Sequence, residues 1–167
     1  MWPTLREQVD CGGSTWQGEC EVSVMEMVGA DLGHSEWFLI DQQRVNDFAD
    51  VTLDHQFIHV DPQAAARTPL GGTIVHGFLT TSLLVHLAAG LTVAPDNTVM
   101  GLNYGFNKLR FLSPVPVGSE IRAHVKVADI SERSPGQFLL TYDVSVEIKG
   151  EEKPALVAEW LNLLITK

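Results

Sequence analysis

Cysteine is nearly missing from this chain. The two present, Cys11 and Cys20, fall within the first 21 of 167 residues and fit no metal-ligand spacing. That argues against a disulfide scaffold or a thiolate metal centre and leaves two free thiols in a reducing compartment as the plain reading. Basic residues are scarce too: 11 Lys plus Arg stand against 21 Asp plus Glu, for a formal net charge of −10. A nucleic-acid or anionic-membrane partner calls for a basic field, which this chain does not have. A small anionic ligand stays open, because a few local cations serve one. Long uninterrupted apolar runs are also lacking. The nearest, "GFLTTSLLVHLAAGLTVA" (77–94), is interrupted by threonines, Ser82 and His86. It reads as a buried core helix and not as a membrane span. The opening residues show no basic stretch followed by an apolar run, so a cytoplasmic location is expected.

What is present suits one soluble domain, with 45% hydrophobic and 19% charged residues over a length that can bury a substantial core. Residues 1–21 lack periodicity and carry a Gly-Gly pair, Trp2 and Trp16, so they read as an extension that docks on the body through a tryptophan. The domain proper is expected over 22–167. "WFLI" (37–40) is a short strand candidate, and Asp41 is a helix N-cap with Ile40 and Val45 at staple spacing. Val45, Phe48, Ala49 and Leu53 then predict a helix over 42–53. Asp61-Pro62 opens a short helical turn, and 77–90 is apolar nearly all round, as an enclosed helix should be. Four strand patterns follow at 102–112, 120–127, 138–148 and 155–165, the last the most hydrophobic and expected to be central. Short turns between them imply antiparallel pairing. The layout is α+β: an antiparallel β-sheet wrapped around a long central helix.

Three constellations could carry chemistry. Asp54 and His59 in "DHQFIHVDP" (54–62) are five residues apart, which opposes them on a strand and sets them about 140° apart on a helix. They converge only if the helix ends near Asp54 and the chain turns; a converged pair could hold and protonate one water. On spacing alone, a polar helix end and a half-buried histidine is the better account. His55 and His59 have the i, i+4 spacing of metal ligands, but no Glu follows His55 and Pro62 implies a broken helix, so no metal is expected. In "GGTIVHGF" (71–78), Gly77 stands where loop becomes helix, so its N–H could face a thioester oxyanion. A glycine needed for tight packing explains it equally well. His76 reads as a packed or capping histidine, and Lys108 and Arg110, on one strand face, as solvated cations that could meet phosphates.

Taken together, "DHQFIHVDP", "GGTIVHGFLT" and "NYGFNKLRFLSPVPVGS" resemble the MaoC-like dehydratases, including the (R)-specific enoyl-CoA hydratases and the nodulation-protein-N-like branch. The resemblance covers about residues 22–167 and implies a single hot-dog domain, as a homodimer. It also implies a catalytic pair at Asp54 and His59, with the Gly77 N–H polarising a thioester carbonyl. Substrate contacts would be His76, Lys108 and Arg110, the cations reaching CoA phosphates across a subunit interface. Gln56 and Phe57 stand where family hydratases often carry Asn and Pro, and Leu53 replaces a small or acidic residue, so acyl preference is not implied. The expected activity is reversible hydration of trans-2-enoyl-CoA to (3R)-hydroxyacyl-CoA, with no cofactor beyond the CoA of the substrate. Thioester hydrolysis and non-catalytic acyl-thioester binding are the alternatives.

Overall fold

A computed structural model describes residues 24–167 of the protein. The extension expected over 1–21, with both cysteines, Trp2 and Trp16, lies outside the described residues. Six strands form one antiparallel sheet: β1 (Asp31–His34), β2 (Phe38–Leu39), β3 (Thr98–Phe111), β4 (Glu120–Ser134), β5 (Gln137–Ile148) and β6 (Leu156–Thr166). Their order is β1-β4-β5-β6-β3, with β2 also on β4. Strand β6 is interior as expected, but β5 holds the middle. The alternating rows explain the sheet's inner face: Ile121, Ala123, Val125 and Val127 of β4 and Leu140, Tyr142, Val144, Val146 and Ile148 of β5 are all buried. A register shift between Val127 and Asp129 moves the next buried position to Ile130. One extra residue there flips the side-chain phase, as a β-bulge does. Between β4 and β5 the chain reverses at Pro135-Gly136, where Gly136 takes the positive φ of 75° that a tight hairpin needs.

Helix α1 (Gln42–Thr52) starts as its sequence dictates: the Asp41 carboxylate accepts from the Arg44 N–H at 2.8 Å. It buries Val45 and Ala49 and exposes Gln43, Arg44, Asp47 and Asp50. Two single-turn helices follow, α2 (Phe57–Val60) and α3 (Pro62–Ala65), the second capped by Asp61 through Gln63 and Ala64 N–H groups. The expected long helix over 77–90 is instead two short segments end to end, α4 (Gly77–Ser82) and α5 (Leu84–Leu87), divided at Leu83. Thr80, Thr81 and Ser82 each donate a hydroxyl to the carbonyl four residues back. Such back-bonding competes with the helix's own ladder and bends it. Nor is this segment apolar-and-enclosed on every side, since Phe78 is 69% and Val85 52% exposed. Its other face carries Leu79, Leu83, Leu84, Leu87 and Ala88 into one cluster with the sheet's inner row. Burying each leucine contributes about 1.5–3 kcal/mol, so this contact is the main tie between helix and sheet. Among the described residues, no helix is long and apolar enough to cross a membrane.

Candidate active site

The convergence of Asp54 and His59 is decided at Leu53, the C-cap of α1. It adopts φ 62° and ψ 21°, the one non-glycine residue with positive φ among those described. A left-handed backbone at a branched residue costs about 1–2 kcal/mol, so the surrounding fold must hold it there. The turn sends the chain out of α1 through Asp54 and back into α2, which carries His59 inward to 7% exposure. One ligand-capable atom each of exposed Asp54, buried His59 and buried His76 then lie within 4.8 Å of one another. These three form the group, among the described residues, spaced to hold a metal ion. His55 turns elsewhere, its Nε2 sitting 2.9 Å from an Asp50 carboxylate oxygen, so it does not join His59.

Hydrogen bonds fix the protons of both imidazoles. His59 Nδ1 lies 2.7 Å from the Ile74 carbonyl oxygen, which can only accept. Nδ1 therefore carries the hydrogen, and Nε2 presents a lone pair. His76 Nε2 likewise donates to the Asp54 backbone carbonyl at 3.0 Å, tying the loop that bears the carboxylate. The two rings stack at 3.8 Å with 26° between planes, and Phe48 lies 5.1 Å from His76. Burial is the largest influence on His59 and pushes its pKa below the ordinary 6.5, and neighbouring His76 lowers it further. The Ile74 carbonyl and the Asp54 carboxylate act the other way without reversing the shift. At neutral pH the ring is therefore uncharged and able to take a proton.

Residues with no sequence signal complete the support. Gln42 at the start of α1 donates to the His59 carbonyl oxygen at 2.8 Å and to Asn46 at 2.9 Å, while accepting from the Thr73 hydroxyl at 2.6 Å. The segment 73–76 is pinned from its other side, because Val75 N–H donates to Val115 at 2.8 Å and Val117 N–H to Thr73 at 2.9 Å. Gln42 bridges sequence separations of 17 and 31 residues, which no local pattern announces.

A cavity of about 400 Å³ opens beside His59, walled by Ile74, Gly77, Phe78, Phe111 and Ala155. Gly77 is the first residue of α4, so its N–H has no partner within the helix. A Cβ added at Gly77 would come within 3.0 Å of the Phe111 ring, so this glycine serves close packing as well as lining the cavity. Lys108 and Arg110 are not brought to this place within one chain. They line a separate cavity of about 360 Å³ on the outer face of the sheet, with His124 and Lys126. There Lys108 pairs with Glu159, and Arg110 donates to the Leu109 carbonyl at 3.0 Å.

The comparisons with known proteins agree with this architecture. Residues 23–147 match the MaoC like domain, and the chain belongs to that family. It is 49% identical over 142 residues to nodulation protein N of Rhizobium meliloti (strain 1021), spanning 84% of this chain and 88% of that protein. It is 45% identical over 131 residues to 3-hydroxyacyl-thioester dehydratase Z of Mycobacterium tuberculosis, spanning 78% and 86%. Among solved structures, the (R)-hydratase from A. caviae involved in PHA biosynthesis superposes with a TM-score of 0.67 at 28% identity, covering 81% of this chain and 94% of that one. The fold is thus the hot-dog fold of MaoC-like dehydratases, and the α+β expectation holds with its central helix interrupted.

Proposed function

We propose that the protein reversibly hydrates trans-2-enoyl-CoA to (3R)-hydroxyacyl-CoA. The observation that carries this reading is His59, its Nδ1–H fixed on Ile74, which stands close to the Asp54 carboxylate and lines a cavity that reaches Gly77. In this reading the thioester oxygen accepts from the Gly77 N–H, which stabilises the enolate-like charge as it develops. A water sits between Asp54 and His59. His59 Nε2 takes its proton as the hydroxyl adds to C3, and the proton is then delivered to C2, while the carboxylate orients the water. No redox group or metal enters, and CoA arrives with the substrate. The similarity to 3-hydroxyacyl-thioester dehydratase Z supports a thioester substrate.

Dimerisation belongs to the same proposal. Strand β3 is a sheet edge that exposes Val99, Met100, Leu102, Tyr104 and Phe106, and exposed Phe78 and Val85 stand on α4 and α5. An unpaired apolar edge of this kind is a template for pairing with a second copy. Lys108 and Arg110 then serve CoA phosphates only across such an interface, in a cytoplasmic homodimer. The test is hydration of crotonyl-CoA, followed by loss of the enoyl absorbance. Asp54→Asn and His59→Gln should each lose about 10²–10⁴-fold in kcat while remaining folded. Release of free CoA thiol with the enoyl absorbance intact would replace hydration with thioester hydrolysis, and binding without turnover would make this a carrier protein.

A further inference from the structure

Strand β6 lays Leu156, Ala158, Trp160 and Leu164 on the inner face of the sheet, all buried. Asn162 occupies one place in that row, only 6% exposed, and its Nδ2 has no hydrogen-bond partner among the described residues. Leaving an amide N–H buried and unpaired is destabilising, and a leucine would fill the position without that cost. Across β3, Asn103 lies directly opposite in register, and its Oδ1 accepts from Trp160 Nε1 at 2.9 Å. Two asparagines thus sit side by side on the sheet under the helix.

They face a small cavity of about 100 Å³ whose other walls include Val85 and Ala88. A second cavity, about 270 Å³, shares Val85, Asn103 and Trp160 with it and shares Phe78 with the cavity beside His59. The three follow one another along the groove between the helical segments and β3. At 1.5 Å per helical residue, Val85 and Ala88 lie about 12–16 Å beyond Gly77. That is the direction open to an acyl chain whose thioester rests on Gly77. Among the described residues, no charged side chain lines the small cavity. A carboxylate would be buried there without a counter-charge, which is far costlier than burying a neutral oxygen.

We infer that Asn162 reads a neutral oxygen, a hydroxyl or carbonyl, near the far end of the acyl chain. The substrate is then an oxygen-bearing enoyl thioester of medium length and not a plain fatty chain. A hydrocarbon end would leave the Asn162 amide unpaired, whereas an oxygen would accept from it, and sites built to hydrogen-bond a substrate discriminate against analogues lacking the group.

This rests on the hydratase reading, so the experiment separates the two. The ratio of kcat/KM for ω-hydroxy-trans-2-decenoyl-CoA over trans-2-decenoyl-CoA is measured on one preparation, which cancels any difference in folded fraction. The wild type should favour the hydroxylated chain about tenfold, the size of one recovered hydrogen bond. Asn162→Leu should bring the ratio to about one or below, and Asn162→Ser, which keeps a donor, should fall between. A wild-type ratio near one, or an unchanged ratio in Asn162→Leu, overturns the inference. Should the wild type hydrate neither substrate nor crotonyl-CoA, the hydratase reading fails alone. Calorimetric affinities for ω-hydroxydecanoyl-CoA and decanoyl-CoA then supply the ratio instead, and a value near one overturns the role of Asn162 as before.

Discussion

Two stacked histidine pairs lie in one small domain, and they are built for opposite purposes. His59 and His76 stack at 3.8 Å beneath the loop of Asp54, both buried. His34 and His124 stack at 4.2 Å and 6° on the outer face of the sheet. The inner rings bond to backbone carbonyls, Ile74 and Asp54, while the outer rings bond to carboxylates, Glu147 at 3.3 Å and Asp31 at 2.7 Å. A carbonyl can only accept, so it fixes which ring nitrogen carries the hydrogen, while burial keeps His59 uncharged with a nitrogen lone pair facing the site. The outer pair belongs instead to a surface ladder that also includes Lys126 on Asp31. Stacked imidazoles therefore say little by themselves. Burial, and a position beside the cavity, distinguish His59 as the ring that can act as a base.

The largest expected break in this comparison comes from the second ring of each pair. His76→Phe keeps the stacked ring but removes the donor to the Asp54 carbonyl, so the carboxylate-bearing loop is released. Crotonyl-CoA hydration should fall about 10–100-fold in kcat with little change in KM, since small misplacements of reacting groups cost on that scale. His124→Phe should leave both parameters within about twofold, because exposed ion pairs contribute about 0–1 kcal/mol. Equal losses in the two variants would dissolve the distinction.

Next in size is the scaffold under the inner pair. Gln42→Leu removes bonds to the His59 carbonyl and to Thr73 and leaves part-buried partners unpaired. Urea unfolding should show about 1–3 kcal/mol lost, accompanied by lower kcat. Unchanged stability would mean that Gln42 supports nothing at His59.

Smaller and sharper is the proton itself. The His59 ring should titrate below 6.5 by NMR, because burial depresses its folded pKa. Its folded pKa lies under the unfolded value, so the unfolded chain binds more protons between the two. The stability this provides is full above about 6.5 and is lost as pH falls through the folded value, a dependence that His59→Gln should abolish. Activity should likewise climb with pH through that same lowered pKa and level off near neutrality. A His59 titrating above 6.5 would refute the neutral-base assignment.

The outer face gives the faintest effect in stability. Lys108→Ala loses the exposed pair with Glu159 and should leave the urea unfolding midpoint essentially unchanged. A salt-sensitive rise in KM for CoA substrates would nevertheless place Lys108 on the phosphates of a neighbouring subunit's ligand; an unchanged KM removes it from the site.

Much of the framework was legible because its causes are local. Asp41 and Asp61 cap their helices through side chains two or three residues away, and the inward rows of β4 and β5 follow from alternation. Where a third factor intervened, local reading slipped. Thr80, Thr81 and Ser82 look compatible with a continuous helix until their hydroxyls compete for its carbonyls, and Phe78 and Val85 look like core until the groove beside β3 is seen. Asn162 lies inside a run read as simply hydrophobic. Its significance appears only when the strand register sets it opposite Asn103 and against a cavity.

By itself the sequence determined an acidic, cysteine-poor α+β domain, the capped helix starts, the strand rows and, through the family likeness, the candidates Asp54, His59 and Gly77. The tertiary structure decided whether those candidates meet. A left-handed Leu53, a carbonyl from Ile74 and a donor from His76 bring two residues that regular elements hold apart onto one small volume. Helix caps and side-chain alternation act over a few residues and leave their marks in composition. Convergence acts across 15 to 31 residues through hydrogen bonds that form only once the chain has folded.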